Sequence, residues 1–288
     1  NSPDQPYVQA ATVQSGAGIG ADRLYIGNND LGVSGSQTAT IDQSLDATVG
    51  TPVIGANVIE GRTPLNQDGP PIRVAIHSDG TIYGVYIQRT ASSGTIRTAN
   101  VVVVRDNNWG SGSSPYSALT DPGDSFAGRN VVTGIQFPFG PLLGQERLGD
   151  RVNIAVDPIN SSNVYVVWAD NNPGGGNSSN LHIRRSTDRG ANWSAADLRQ
   201  VTNAINPDLA INNLGELAFS YQRLVSGNWQ TIVERTTNDF ATTATTTLNT
   251  FPDGTPASTF LPYLGDYACL TAMPSGKGNR RSGRLICA

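Results

Sequence analysis

Five short apolar runs in this sequence each contain an alanine, at positions 11, 75, 155, 210 and 268. Two residues before each alanine stands a polar side chain: Gln9, Arg73, Asn153, Asp208 and Asp266. A polar group at the mouth of a buried strand is costly unless it meets a partner, so its recurrence at one register is a chemical signal. Side chains alternate across a strand, and equivalent positions therefore face one way. Brought together, the five would form a ring with one cation and two carboxylates. Such a ring has two readings. It is a ligand site in which a guanidinium holds an anion and carboxyl groups move protons, or it is a set of hydrogen bonds and trapped waters that tie strand to strand.

Other constellations are thin. The two histidines, His77 and His182, lie in or beside predicted strands with no third His or Cys at ligand spacing, so no zinc site is expected. Neither has a Gly-x-Ser-x-Gly elbow to serve. Gly16-Ala17-Gly18 is followed by no helical pattern and reads as a turn, not a phosphate loop. No cofactor is called for. Calcium in an oxygen-rich loop is the one metal the composition leaves open, and no EF-hand spacing supports it.

The elements that must position these residues are strands. Apolar residues recur with period two in short runs rich in Val, Ile and Tyr, bounded by Gly, Pro, Asn and Asp. The clearest runs are 72–76, 81–88, 100–105, 153–156, 164–169, 181–185, 209–211, 216–222 and 230–235. Several pair as hairpins across obvious turns, Ser78-Asp79-Gly80 among them, and their second strands carry aromatics: Tyr83, Tyr86, Tyr165, Trp168, Phe219 and Tyr221. Weaker copies begin at Ala11 and Ala268. The repeat exceeds the ~40–50 residues of WD40 and kelch blades, and it suits a four-stranded blade with long loops. A two-sheet sandwich does not explain a recurring hairpin. The expectation is an all-β chain, one β-propeller domain over residues 1–288, built from four-stranded antiparallel blades. Five hairpin openings are visible, and residues 107–145 are long enough to hide a degenerate blade, so five or six blades are expected.

Residues 186–193 read Ser-Thr-Asp-Arg-Gly-Ala-Asn-Trp. Ser186, Asp188, Gly190 and Trp193 make a turn signature: the carboxylate accepts from successive backbone N–H groups, Gly190 takes a left-handed conformation, and the indole is buried while its N–H finds a partner. Ser44 with Asp46 is a worn copy, and Asn238-Asp239 and Asp106 with Trp109 are fainter ones, each after a third strand. The pattern resembles the Asp-box, or BNR-repeat, of sialidase-like propellers across most of the chain. In that family the boxes lie on the rim away from the active site, which makes these residues structural.

The same resemblance implies an exo-glycosidase site at the axis. It offers Tyr267 as nucleophile, Glu146 as the glutamate that activates it, Asp266 and Asp208 as acid/base candidates, and Arg73, Arg147 and Arg151 as a cluster for a substrate carboxylate. Asn153 and Gln9 complete the substrate-binding ring. Two departures stand against hydrolysis. The family's early Arg-Ile-Pro is replaced by Asp4-Gln5-Pro6-Tyr7, and no arginine lies between Arg235 and Arg280. A non-catalytic propeller that binds glycan or protein is the alternative.

Charged residues make up 15% of the chain and the net charge is −4, without the basic stripe that nucleic-acid binding requires. No apolar run approaches the ~20 residues needed to span a bilayer. The chain opens Asn1-Ser2-Pro3 without Met, which reads as a processed, exported product. Cys269 and Cys287 are either a disulfide that ties down the last strand or two buried thiols. The expected partner is a glycan or glycoconjugate.

Overall fold

A computed structural model describes residues 3–33, 36–48, 50–65, 72–94, 96–138, 151–171, 179–252, 269–273 and 284–287, all of them strand, turn or irregular chain. No helix among them is long and apolar enough to cross a membrane. Four antiparallel sheets of four strands follow one another in chain order. The first holds β1 (Pro3–Thr12), β2 (Asp22–Asp30), β3 (Ala39–Ser44) and β4 (Gly55–Val58), and the second β5 (Arg73–Ile76), β6 (Ile82–Ser93), β7 (Ile96–Asp106) and β8 (Arg129–Pro138). The third holds β9 (Val152–Val156), β10 (Val164–Asp170), β11 (Asn180–Ser186) and β12 (Arg199–Thr202). The fourth holds β13 (Ala204–Ile211), β14 (Leu217–Val225), β15 (Asn228–Thr236) and β16 (Ala244–Pro252). A two-stranded sheet, β17 (Leu270–Met273) with β18 (Arg284–Cys287), comes last.

Within each sheet, strands lie side by side in the order they are made. The first strands of successive sheets, β1, β5, β9, β13 and β17, touch in sequence. This is the radial arrangement of a β-propeller. The core is therefore divided into slabs between blades. One slab packs Tyr25 and Ile41 of the first blade on Ile82 and Val104 of the second. The next packs Tyr83 and Val103 on Ile154 and Trp168, and the third packs Tyr165 and Ile183 on Leu209 and Phe219. Central strands are buried on both faces, so Val101, Val102, Val103 and Val104 are all fully enclosed and the run is continuous. Each such side chain contributes about 1.5–3 kcal/mol. Where blades approach closest, Gly27 of β2 lies directly on Ile72 and leaves no space for a side chain.

Residues 107–138 are not a hidden blade. They form the turn after β7, a loop, and β8, the outer strand of the second blade.

The third strand of each complete blade ends on a side chain that organises the turn beyond it. Ser186 Oγ accepts from the N–H of Gly190 (2.8 Å) and of Asp188 (3.3 Å). The Asp188 carboxylate accepts from the Asn192 N–H (2.8 Å) and side-chain amide (2.7 Å). Serine, rather than aspartate, thus holds the successive N–H groups. Gly190 has φ +81°, the left-handed conformation the pattern requires. Trp193 packs against the slab between the second and third blades, yet its Nε1–H finds no hydrogen-bond partner among the described residues, contrary to expectation.

The fourth blade repeats the device with Thr236 Oγ1 accepting from Phe240 (3.1 Å) and Asn238 Oδ1 accepting from Thr242 (3.0 Å). In the second, the Asp106 carboxylate itself takes the N–H groups of Asn108 and Gly110, both at 2.7 Å. All three turns carry two successive positive φ angles, at Trp109–Gly110, Arg189–Gly190 and Asp239–Phe240. Ser44 and Asp46 form a looser turn in which Asp46 accepts from Thr48 (3.2 Å).

Candidate functional site

Gln9, Arg73, Asn153 and Asp208 meet at one axial cavity of about 80 Å³, with Tyr7 and Leu270 completing its wall. The register explains the meeting. Arg73 opens β5 opposite Val85, and Asn153 stands opposite Val167 in β9. In β13 the ladder shifts between Ile205 and Asp208, with Asn206 at φ +51°. In β1 it shifts between Asp4 and Tyr7. Bulges of this kind re-aim the side chains that follow them.

Asp208 is buried and both its oxygens are engaged. Oδ1 accepts from the Leu209 N–H (2.8 Å) and from the Asn153 amide, and Oδ2 accepts from the Leu270 N–H (2.7 Å). One carboxylate thereby joins β9, β13 and β17. The Arg73 guanidinium lies over the Tyr7 ring, joining β5 to β1. Burial pushes the Asp208 carboxyl up to about 6, against the pull of Arg73 and of its hydrogen-bond donors. Burial also brings Arg73 down to about 9, with Asp208 opposing and the neighbouring Arg151 adding to the effect. Arg151 is buried as well and does not line the cavity, but its charge acts on Arg73. A water molecule's share of volume is ~30 Å³, so the cavity has room for a carboxylate group or a few waters. Drug-sized sites need ~300–1,000 Å³.

Among the remaining candidates, Asp266, Tyr267, Glu146 and Arg147 lie outside the described residues. Ser186, Asp188, Gly190 and Trp193 lie at the far end of the blades. There the Arg189 N–H bonds Ser162 O in the β9–β10 turn and the Trp109 N–H bonds Gly80 O in the β5–β6 turn. Ser44 and Asp46 close the corresponding end of β3.

Sequence reasoning missed Tyr7, Cys269 and the Leu270 N–H, all of which border the axial cavity. Tyr7 was within reach: it precedes Gln9 by two residues and shares its face. Cys269 is exposed, which overturns the buried-thiol reading for that residue. The side chain of Cys287 lies outside the described residues.

No protein-family model matches the sequence, and no curated protein matches it by sequence. Solved structures do. The Hadza microbial sialidase Hz136 superposes with a TM-score of 0.51 at 14% identity, over 95% of this chain and 50% of its own. The GH93 α-L-arabinofuranosidase of Fusarium graminearum, solved with arabinobiose, gives 0.49 at 12% identity, over 98% of this chain and 74% of that one. The α-L-arabinanase of Penicillium chrysogenum, also with arabinobiose, gives 0.49 at 10% identity over the same shares. The chain spans half the length of the sialidase. The likeness to that sialidase makes the fold a sialidase-like β-propeller.

Proposed function

We propose that this propeller acts on or holds glycans at its axial end, with Arg73 receiving the carboxylate of an acidic sugar. One observation carries the reading: a buried guanidinium, that of Arg73, borders the axial cavity beside Gln9 and Asn153. An anion in the cavity would relieve the repulsion that helps to lower Arg73, and guanidinium forks match carboxylates bidentately. The cavity admits the charged group while the sugar ring rests at its mouth. A sialidase among the similar structures supports a glycan as the ligand, and such a ligand fits an exported protein.

In the hydrolytic form of this proposal, Tyr267 is the nucleophile, Glu146 its base and Asp266 the acid. A second reading, binding without turnover, is favoured by Asp208. With three donors on its two oxygens it is committed to the frame and poorly placed to shuttle protons.

A panel of chromogenic sialosides, uronides and neutral glycosides, run beside a glycan array, tests both forms. Acidic glycans are expected to bind, and Arg73→Met to weaken them about 10- to 100-fold, the loss of a charge-assisted hydrogen bond. Turnover that disappears in Asp266→Ala and in Tyr267→Phe assigns hydrolysis. Acidic-glycan binding without turnover assigns the second reading. Failure of every acidic glycan to bind overturns both.

A further inference from the structure

The larger cavity is at the opposite end of the axis. It measures about 420 Å³ and is formed where three blades meet, by Gln9 and Gln14 from the first, His77, Ser78 and Trp109 from the second, and Pro158 from the third. Gln9 borders this cavity and the axial one, so the two lie end to end along the channel. Their chemistry differs. Among the described residues, the lining of the larger cavity holds no Asp, Glu, Lys or Arg, so nothing in it selects a charged ligand.

Hydrogen-bonding capacity is nevertheless ample and open. Gln14 spends one amide N–H on Thr12 O (2.9 Å) and keeps its carbonyl. The side chains of Gln9 and Ser78 are exposed to solvent. His77 is fixed as wall, with Nε2 on Pro158 O (3.1 Å) and Nδ1 accepting from Asp79 N–H (3.1 Å). Trp109 is immobilised against Gly80, where no side chain would fit. Ala10, Ala11 and Ile76 supply the apolar remainder.

We infer that this cavity is a second ligand site, for a neutral hydroxyl-rich ligand such as an uncharged sugar residue. Its volume is in the range of small-molecule sites, and such sites combine apolar walls with a few placed polar groups. Carboxamides and hydroxyls both donate and accept, which matches sugar hydroxyls. The exposed ring of Pro158 gives a small apolar surface for the face of a sugar ring, and the buried Trp109 indole backs the wall as a nearby reporter. The site is separate from the acidic-sugar reading above and does not depend on it.

The test titrates galactose, glucose, arabinose and N-acetylglucosamine, with glucuronate as the charged control, into the whole chain, followed by calorimetry and by indole signals in NMR spectra. A neutral sugar is expected to bind saturably and to shift the Trp109 indole signal, identified through Trp109→Phe. Gln14→Leu should weaken it about five- to tenfold, the value of one neutral hydrogen bond, and Ser78→Tyr should block it by filling the mouth. Both positions are exposed and lie outside the strands, and unchanged melting temperatures confirm that the variants fold. Arg73→Met should leave neutral-sugar binding intact while it weakens acidic-glycan binding as above, which separates the two sites. No saturable binding by any of the four neutral sugars overturns the inference. So does binding that survives both Gln14→Leu and Ser78→Tyr, or binding that Arg73→Met removes.

Discussion

The hydroxyl of Ser186 and the carboxylate of Asp188 share the backbone donors of one turn, and Thr236 with Asn238 shares another in the same way. Ser186→Ala leaves two N–H groups without their acceptor and is expected to cost about 1–2 kcal/mol in urea unfolding, the scale of a lost cap. Thr236→Ala should cost nearly the same. A neutral Thr236→Ala beside a costly Ser186→Ala would show that the two turns are not equivalent. His182 offers a pH test. It lies between Asp197 (2.7 Å to Nδ1) and Asp170 (3.1 Å to Nε2) and stacks on Trp168. Burial alone would lower its pKa, but the two carboxylates raise it to about 9 from an ordinary 6.5. A group raised on folding stabilises fully below its unfolded value and loses that contribution as pH climbs through the folded one. The melting temperature of the wild type should therefore exceed that of His182→Gln most below 6.5, with the gap closing towards 9. A gap that is constant with pH would mean that the imidazole serves only as packing.

Between blades a single pair of positions recurs as a clasp. The residue just before each turn-holder reaches the left-handed corner of the next blade's turn: Gln43 to Gly110 O (2.8 Å), Arg105 to Arg189 O (2.5 Å) and Arg185 to Asp239 (2.5 Å). A tyrosine on the second strand assists, Tyr25 to Trp109 O (2.9 Å) and Tyr165 to Asp239 (2.7 Å). Asp239→Ala removes the partner of both Tyr165 and Arg185 and should cost about 1–3 kcal/mol. Combined with Arg185→Met, the losses should fall short of additivity by at least ~0.5 kcal/mol. Strict additivity would mean that the contact carries no energy. First, second and third strands of most blades were legible because burial on one or both faces forces apolar runs on them. Fourth strands were not. β16 is almost wholly exposed and reads Ala-Thr-Thr-Thr-Leu-Asn-Thr-Phe-Pro, which carries no period to find. The turns were legible only where Ser and Asp persist, since Asp106 performs the serine's task with a different side chain.

Across the molecule, the ring of polar residues is both candidate site and girdle. Its membership could be read from the sequence because Gln9, Arg73, Asn153 and Asp208 share one strand phase. Its girdle role could not, because the decisive partner of Asp208 is a backbone N–H at Leu270, far along the chain. Removing the carboxylate separates the two roles. Asp208→Ala would orphan the N–H groups of Leu209 and Leu270 and the Asn153 amide, and would take from Arg73 a buried charge that supports it. Breaking a buried charged contact in this way costs about 3–5 kcal/mol. The loss should not be spread evenly, since blades that share large apolar slabs hold one another independently of the axis. Among the described residues, the slab between the fourth sheet and the last, two-stranded one has only Ala210, Ala218, Val233 and Leu270 as its buried members. Hydrogen exchange in Asp208→Ala should therefore accelerate first and most in β17, while β6 and β7, enclosed on both faces, keep their protection. Uniform acceleration in every blade would show that the ring unfolds as one unit and that Asp208 fastens no blade in particular.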